Sequence, residues 1–141
     1  MDYAAMSAGP LRRQTLVLVT DQYECERIIK AGRAIASITH TQLRVFHICP
    51  EGHSSDPAAL QYLFNAAKEN GSILEIAYNS GFMEALTETI QSTNTVNIIT
   101  GQPGDEDSVL YTLWARFPGI KFFTADPDGR LDMVSTVRVA E

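Results

Sequence analysis

Apolar residues in this chain follow two alternating patterns. Continuous apolar runs of strand length, rich in β-branched residues, occur at Thr15–Thr20, Leu43–Cys49, Ile73–Ala77, Val96–Thr100 and Lys121–Ala125. Between these runs, apolar residues three and four positions apart form helical stripes: Ile28, Ala31, Ile35 and Ile38; Leu60, Leu63, Phe64 and Ala67; Phe82, Ala85, Leu86, Thr89 and Ile90; Leu110, Leu113, Trp114 and Phe117. The order βαβαβαβαβ predicts an α/β fold with a parallel sheet and helices on both faces.

Turn and capping residues mark the boundaries of these elements. Asp56 followed by Pro57 is typical of a helix start, and Gly71 ends the same helix. Asp126–Gly129 has proline at its second position and glycine at its fourth, which predicts a tight turn. Because a short turn cannot carry a parallel crossover, we expect Leu131–Val139 to form a sixth strand, antiparallel to the fifth.

Length and composition indicate one ordinary globular domain. The 141 residues are 45% apolar and 20% charged, and two cysteines cannot form a disulfide framework. We expect residues 1–13 to be a flexible lead-in and residues 14–141 to be the domain. Met1–Pro10 lacks the features of a secretory signal and no apolar run could span a bilayer, so a cytoplasmic protein without membrane contact is predicted. The net charge of −6 argues against a nucleic-acid partner.

Ligands of open α/β sheets bind beyond the carboxyl ends of the strands, where the strand order reverses. If the order is 3-2-1-4-5, the loops Thr20–Glu24 and Gly101–Ser108 enclose that crevice. The glycines Gly101 and Gly104 lie between a strand and a helix, where backbone amides can bind phosphate. Asp107 belongs to a run of three carboxylates that can pair with the free backbone amides at the helix start. The same carboxylates would repel phosphate unless a divalent cation lay between them.

The first loop offers three candidate side chains. Thr20 ends the first strand. Asp21 has two possible roles. It contacts the ribose or the base of a nucleotide, or it caps the helix together with Glu24 in a capping box, which is the role that we favour. Tyr23 would lie at the mouth of the crevice, where its ring could stack on a base. The second loop ends at Ser108, the last residue that we assign to the site.

The first strand–helix–strand unit carries a resemblance to a known family. Its sequence, TLVLVTDQYECERIIKAGRAIASITHTQLRVFHI, has a strand ending in Val-Thr, a short polar loop, a Glu-Arg-Ile-Ile helix start and a Gly-Arg-Ala-Ile-Ala helix body. It resembles the universal stress protein domain, most closely the version in potassium-uptake sensor kinases. The resemblance covers about Gln14–Ala125. It implies a five-stranded parallel sheet in the order 3-2-1-4-5 and a homodimer.

Nucleotide-binding members of that family carry two glycines that are separated by two residues. Nine further residues follow, and then Gly followed by Ser or Thr. Here Gly101 and Gly104 match the first half, and nine residues, Asp105–Leu113, follow. Trp114 and Ala115 then stand where the family has Gly and Ser or Thr. We therefore expect Trp114 to occupy the phosphate space or to face the sheet, and the nucleotide site to be degenerate.

The first loop departs from the family as well. The aspartate that ends the family's first strand falls at Thr20, with Asp21 one place later. The serine-rich loop of cyclic-dinucleotide-binding members has no counterpart in Thr20–Cys25. Both departures favour a chain without a nucleotide cofactor.

Other reactive side chains have simpler explanations. His47 and Cys49 lie two apart on a strand and share one face, which suits core packing. Cys25 lies between two glutamates that oppose thiolate formation. The sequence shows no paired nucleophile and base, so a hydrolase using the acidic run is the weakest hypothesis.

Taken together, these features predict a non-catalytic, universal-stress-type module with no cofactor. It would act through a homodimer or a protein partner. The alternative is a universal stress protein that binds ATP or AMP with Mg²⁺ through Gly101–Ser108. The dimer would form at the sheet edge, because Leu131–Val139 is longer than its neighbour Lys121–Ala125 and leaves unpaired amides.

Overall fold

The computed structural model describes residues 12–20, 22–49, 55–78, 81–102 and 109–134. Within them, the strands are β1 Arg13–Leu18, β2 Gln42–Cys49, β3 Leu74–Tyr78, β4 Asn94–Gly101, β5 Lys121–Ala125 and β6 Leu131–Met133. The α-helices are α1 Glu26–Thr39, α2 Pro57–Glu69, α3 Phe82–Ser92 and α4 Val109–Arg116. A single 3₁₀ turn, Tyr23–Cys25, leads into α1.

These strands form one sheet in the order β3-β2-β1-β4-β5-β6. Strands β1 to β5 are parallel, and β6 pairs antiparallel with β5. The predicted α/β class, the order 3-2-1-4-5 and the antiparallel C-terminal strand are therefore confirmed. The order reverses between β1 and β4, which places the two neighbouring crossovers on opposite faces of the sheet.

Alternation along β1 divides the core between the two faces. Val17 points to the face covered by α1 and α2, where it packs with Ile29 and Leu63. Leu16 and Leu18 point to the opposite face, covered by α3 and α4 through residues such as Leu86. A strand buried on both faces needs a continuous apolar run, and this is the pattern that predicted β1.

The capping and turn signals act as predicted. Asp56 Oδ1 accepts hydrogen bonds from the amides of Ala58 and Ala59 at the start of α2. In the Asp126–Gly129 turn, the Gly129 amide donates to the Asp126 carbonyl at 2.8 Å. Gly129 adopts φ +85°, a left-handed conformation that glycine accepts without strain. The turn therefore reverses the chain from β5 into β6.

Two sequence-based expectations differ from the structure. Ile38, placed in the buried stripe of α1, is 73% exposed, whereas Ile28, Gly32 and Ala36 are buried. At about 100° per residue, Ile38 lies about 120° from Gly32, the residue of α1 that meets Val17 on β1. The sixth strand spans only Leu131–Met133 in the described residues. Its predicted remainder beyond Val134, like the lead-in through residue 11, lies outside them.

A buried polar network lies at the amino-terminal end of the sheet. Asn97 is 2% exposed, and its Nδ2 donates to Thr15 Oγ1 at 3.0 Å and to Thr39 Oγ1 at 3.1 Å. The Thr41 hydroxyl bonds to both threonines. The network joins β1 and β4 to the end of α1 and gives the Asn97 amide nitrogen and the three threonine hydroxyls hydrogen-bond partners.

Candidate functional site

A crevice of about 550 Å³ opens at the carboxyl ends of β1 and β4. It lies at the point where the strand order reverses, which is where ligands bind in open α/β sheets. Its volume falls within the ~300–1,000 Å³ range of small-molecule pockets. Its described lining comprises Leu18, Val19, Thr20, Gln22, Glu24, Cys25, Arg27, Ile28, Thr100, Gly101, Gln102 and Leu110.

Arg27 contributes a fixed cation to this crevice. Its Nε donates to the Asp126 carbonyl at 2.7 Å, and its Nη1 donates to the Glu24 carbonyl at 2.9 Å. These bonds join the start of α1 to the turn after β5 and hold the guanidinium plane in place. Among the described residues, no carboxylate lies within ion-pair distance of Arg27, and its two hydrogen-bond acceptors there are backbone carbonyls.

The third guanidinium nitrogen faces the glycine at the end of β4. Arg27 Nη2 lies 4.0 Å from the position that a Cβ on Gly101 would occupy, and Ile28 Cδ1 lies 3.3 Å from it. Because Gly101 has no side chain, the space between β4 and the first turn of α1 stays open. No acceptor for Nη2 is found among the described residues.

The opposite wall is formed where the chain leaves β1. The hydroxyl of Thr20 lies 3.4 Å from Cys25 Sγ, and Cys25 is 4% exposed. Glu24 is exposed at the rim and supplies a carboxylate to the lining. The lining thus combines aliphatic walls with one cation, one anion and a few hydroxyl and amide groups.

The structure brings together two of the predicted site residues. Thr20 and Gly101 line the crevice from its two sides. Tyr23 is not among the described lining residues, and its stacking role stays a prediction. The other four, Asp21, Gly104, Asp107 and Ser108, lie outside the described residues.

The described residues at the start of α1 make no side-chain capping bond. The N-cap position of the 3₁₀ turn is Gln22, which makes no side-chain capping bond. Cys25 occupies the N-cap position of α1, again without a side-chain bond. Asp21, the acidic residue of the predicted capping box, lies outside the described residues, so the capping box stays a prediction. Arg27 ties the first turn of α1 to the rest of the fold through the Asp126 carbonyl.

Tyr23 packs on α2. Its ring meets the Tyr62 ring edge-on at 5.2 Å between centroids. The Tyr62 hydroxyl donates to the Glu26 carboxylate, and Lys30 pairs with the same carboxylate at 3.5 Å. The bond from Tyr62 lowers the pKa of Glu26, with burial acting in the opposite direction, and the same bond raises the pKa of Tyr62.

We expect Tyr62→Phe to raise the pKa of Glu26 toward its ordinary value. Because the folded pKa of Glu26 is lowered, its stabilising effect is present above the unfolded pKa and is lost as pH falls through the folded pKa. Tyr62→Phe should therefore lower the melting temperature at neutral pH but not at a pH where Glu26 is protonated. NMR titration of the carboxyl and melting curves at both pH values test this, with Tyr111→Phe as the exposed control.

Trp114 is not among the described residues that line the crevice. It is half-buried against the core layer under α3 and α4, together with Leu110, Leu113 and Phe117. Its Nε1 has no hydrogen-bond partner among the described residues. Since α4 begins at Val109, Trp114 lies in its second turn, away from the free amides of the helix start. Of the two expected placements, the one facing the sheet is the one observed.

His47 and Cys49 are buried, as core packing predicts. His47 Nδ1 donates to the Val19 carbonyl at 3.0 Å, and Nε2 lies 3.1 Å from Ser55 Oγ. The Ser55 hydroxyl in turn lies 3.3 Å from Cys49 Sγ. These bonds join β1, β2 and the start of α2, and they hold Val19 at the crevice wall.

Sequence reasoning missed Arg27 as a site residue. The stretch that it belongs to was interpreted only as a helix start of the resembled family. A basic side chain in the first turn after the switch-point strand is the signal that points to it, because that turn borders the crevice. Its partner, the Asp126 carbonyl, lies 99 positions away along the chain, so no local pattern reveals the contact.

Comparison of the chain with protein-family models and with curated protein sequences gave no match. The resemblance to universal stress proteins therefore rests on the residues quoted above. Among the described helices, none is long and apolar enough to cross a membrane. Within the same residues, no group of three or more His, Cys, Asp or Glu side chains could hold a metal ion.

Proposed function

We propose that the protein is a non-catalytic binding module of the universal stress type. Its crevice between β1 and β4 takes a small ligand, and the bound or empty state is communicated through dimer or partner contacts. The observation that carries the proposal is the crevice itself, an open space of about 550 Å³ at the switch point.

The chemistry of the lining supports binding rather than turnover. Aliphatic side chains such as Leu18, Ile28 and Leu110 form most of the wall, and a few polar groups can orient a ligand. Arg27 is held by two carbonyls, which suits a fixed binding contact. A guanidinium remains protonated at all physiological pH values and does not serve as a general base.

Native mass spectrometry of the freshly purified chain tests the proposal. The expected spectrum contains a bound small molecule in the wild type and none in Gly101→Leu, because a side chain at this position fills the gap beside Ile28 and Arg27. Gly119→Leu is the control, since a Cβ there meets nothing within 4 Å. A wild-type spectrum without any bound mass, or a bound mass unaffected by Gly101→Leu, contradicts the proposal.

Binding of ATP with Mg²⁺ is expected to be weak or absent. Trp114 faces the sheet where the family's motif requires a small residue, so the second half of that motif supplies no phosphate contact. Isothermal calorimetry should give a Kd above the micromolar range. Micromolar or tighter binding that is lost in Gly101→Val would instead establish the nucleotide-binding alternative.

We also propose that the chain forms a homodimer at the β6 edge. Among the described strands, β6 is the last of the sheet on that side, and Met133 is 61% exposed there. An edge strand offers unpaired amides to a second copy, and a two-fold axis makes the contact isologous. Sedimentation of the full chain should therefore show a dimer, and a chain ending at Asp132 should sediment as a monomer.

The opposite edge of the sheet provides the control for this experiment. Strand β3 also lies at an edge, with Ile76 39% exposed and Tyr78 70% exposed. Ile76→Lys should leave the dimer intact if the interface is at β6. Two monomeric samples at tens of micromolar would end the dimer proposal, and loss of the dimer in Ile76→Lys alone would move the interface to β3.

A further inference from the structure

We propose that the crevice selects a monoanionic molecule with an apolar body, a carboxylate on a hydrocarbon frame, and that Arg27 Nη2 binds its head group. This inference rests on the proposed binding function and names the class of ligand. It follows from the charges and the apolar groups of the described lining residues.

The first step is the hydrogen-bonding capacity of Arg27. Two of its three nitrogens are engaged, Nε with the Asp126 carbonyl and Nη1 with the Glu24 carbonyl. Only Nη2 has no acceptor within the described part of the chain, and it lies beside the open space at Gly101. A single guanidinium nitrogen can bind one or two oxygens of one anionic group but cannot clamp a chain of phosphates.

The second step is the charge of the lining. Arg27 supplies one positive charge, and Glu24 supplies one negative charge at the rim. No second cation is found among the described lining residues. A ligand with one negative charge is neutralised by Arg27, whereas a polyanion leaves excess charge that Glu24 repels.

The third step is the apolar character of the remaining wall. Leu18 and Leu110 belong to the face covered by α3 and α4, while Val19 and Ile28 belong to the face covered by α1 and α2. Both core layers thus extend to the crevice, and aliphatic groups lie on either side of the open space. Burial of a hydrocarbon frame there contributes about 25 cal/mol for each Å² removed from water.

Octanoate and octanamide form a matched pair of probes for this inference. They share one hydrocarbon chain and differ in the head group, which is a charged carboxylate in one and a neutral amide in the other. Calorimetry on the wild type should show octanoate binding about tenfold or more tightly than octanamide, because a hydrogen bond to a charged group exceeds a neutral one by that order. In Arg27→Gln the two affinities should converge, and Arg27→Lys should restore part of the difference.

Because Arg27 also joins α1 to the β5–β6 turn, Arg27→Gln could disturb the crevice itself. Binding of octanamide is the internal check, since it uses the apolar wall and not the charge. Unchanged octanamide affinity in Arg27→Gln, with octanoate weakened to match it, supports the assignment. If Arg27→Gln also loses octanamide, Arg27→Lys decides. If Arg27→Lys binds octanoate more tightly than octanamide, the result supports the role of the positive charge. If Arg27→Lys binds both with equal affinity, the result overturns that role.

Other results separate failure of this inference from failure of the proposed function. Equal affinity of the wild type for octanoate and octanamide overturns the role of Arg27 but leaves a ligand-binding crevice. Absence of binding of both probes at millimolar concentration overturns the ligand class, while a bound mass in the native spectrum would still uphold the module's binding function. Preference for ATP with Mg²⁺ over octanoate likewise overturns the monoanion assignment.

Discussion

Gly32→Ala is expected to destabilise the fold by about 1–3 kcal/mol, the usual cost of overpacking a core. A Cβ at Gly32 would lie 2.1 Å from Val17 Cγ2 and 3.3 Å from Leu43 Cδ1. Val17 is fully buried at the centre of β1, so the clash is relieved only by moving α1 away from the sheet. The gain in helix propensity from Gly to Ala, about 1 kcal/mol, opposes this cost but does not remove it. Urea denaturation measures the change in unfolding free energy.

Two further variants isolate the cause of that loss. Gly119→Ala adds the same methyl group where nothing lies within 4 Å, and it should change stability by less than about 0.5 kcal/mol. In a Val17→Ala background, where Cγ2 is gone, Gly32→Ala should cost less than it does in the wild type. If Gly32→Ala is as harmless as Gly119→Ala, the close approach of α1 to β1 is not as described.

Thr15→Val is expected to cost about 1–3 kcal/mol, although the two side chains have nearly the same shape. Thr15 is fully buried, and its hydroxyl accepts one of the two N–H groups of Asn97. Valine leaves that N–H without its acceptor in the interior, where an unpaired donor loses its hydration without replacement. Thermal and urea unfolding both report the loss.

The exposed residue Thr112 on α4 supplies the matched control, and Thr112→Val should be close to neutral. When Asn97 is first replaced by leucine, the Thr15 hydroxyl keeps only its bond with Thr41, and Thr15→Val should then cost less than it does in the wild type. Equal and small effects of Thr15→Val and Thr112→Val would show that the Asn97 network does not contribute to stability.

The sheet could be predicted because its strands carry their own signal. A parallel strand buried on both faces needs an uninterrupted apolar run, and such runs located β1 to β5 to within a few residues. The observed strand boundaries differ from the predicted ones where polar residues take part in the hydrogen-bonded pairing of the strands. Arg13 and Gln14 pair with Asn94 and Thr95 at the amino end, which an apolar criterion does not detect. Val19 and Thr20 were counted as strand but instead leave β1 to form the crevice wall.

The candidate site could be predicted only in outline. Topology located the crevice and brought in Thr20 and Gly101, because strand ends follow from strand order. Side-chain direction was not predictable in the same way. Tyr23 turns toward Tyr62 on α2, a contact between residues 39 positions apart that no local pattern contains. Arg27 is fixed by a turn at the far end of the chain, and its role is visible only once β5 lies beside β4.

The central claim, that the protein binds small molecules at the carboxyl-end crevice, is tested most directly by NMR titration of the ¹⁵N-labelled chain with a mixture of small fragments that includes octanoate. The structure contains a built-in comparison, a second cavity of about 310 Å³ at the amino ends of β1 to β3, lined by Gln42, Arg44 and Gly71 among others. The account predicts saturable shifts of the amides of Thr20, Gln22, Gly101 and Gln102, with Gln42 and Gly71 unmoved. Shifts confined to the amino-end cavity, or no saturable shifts at either end of the sheet, would contradict it.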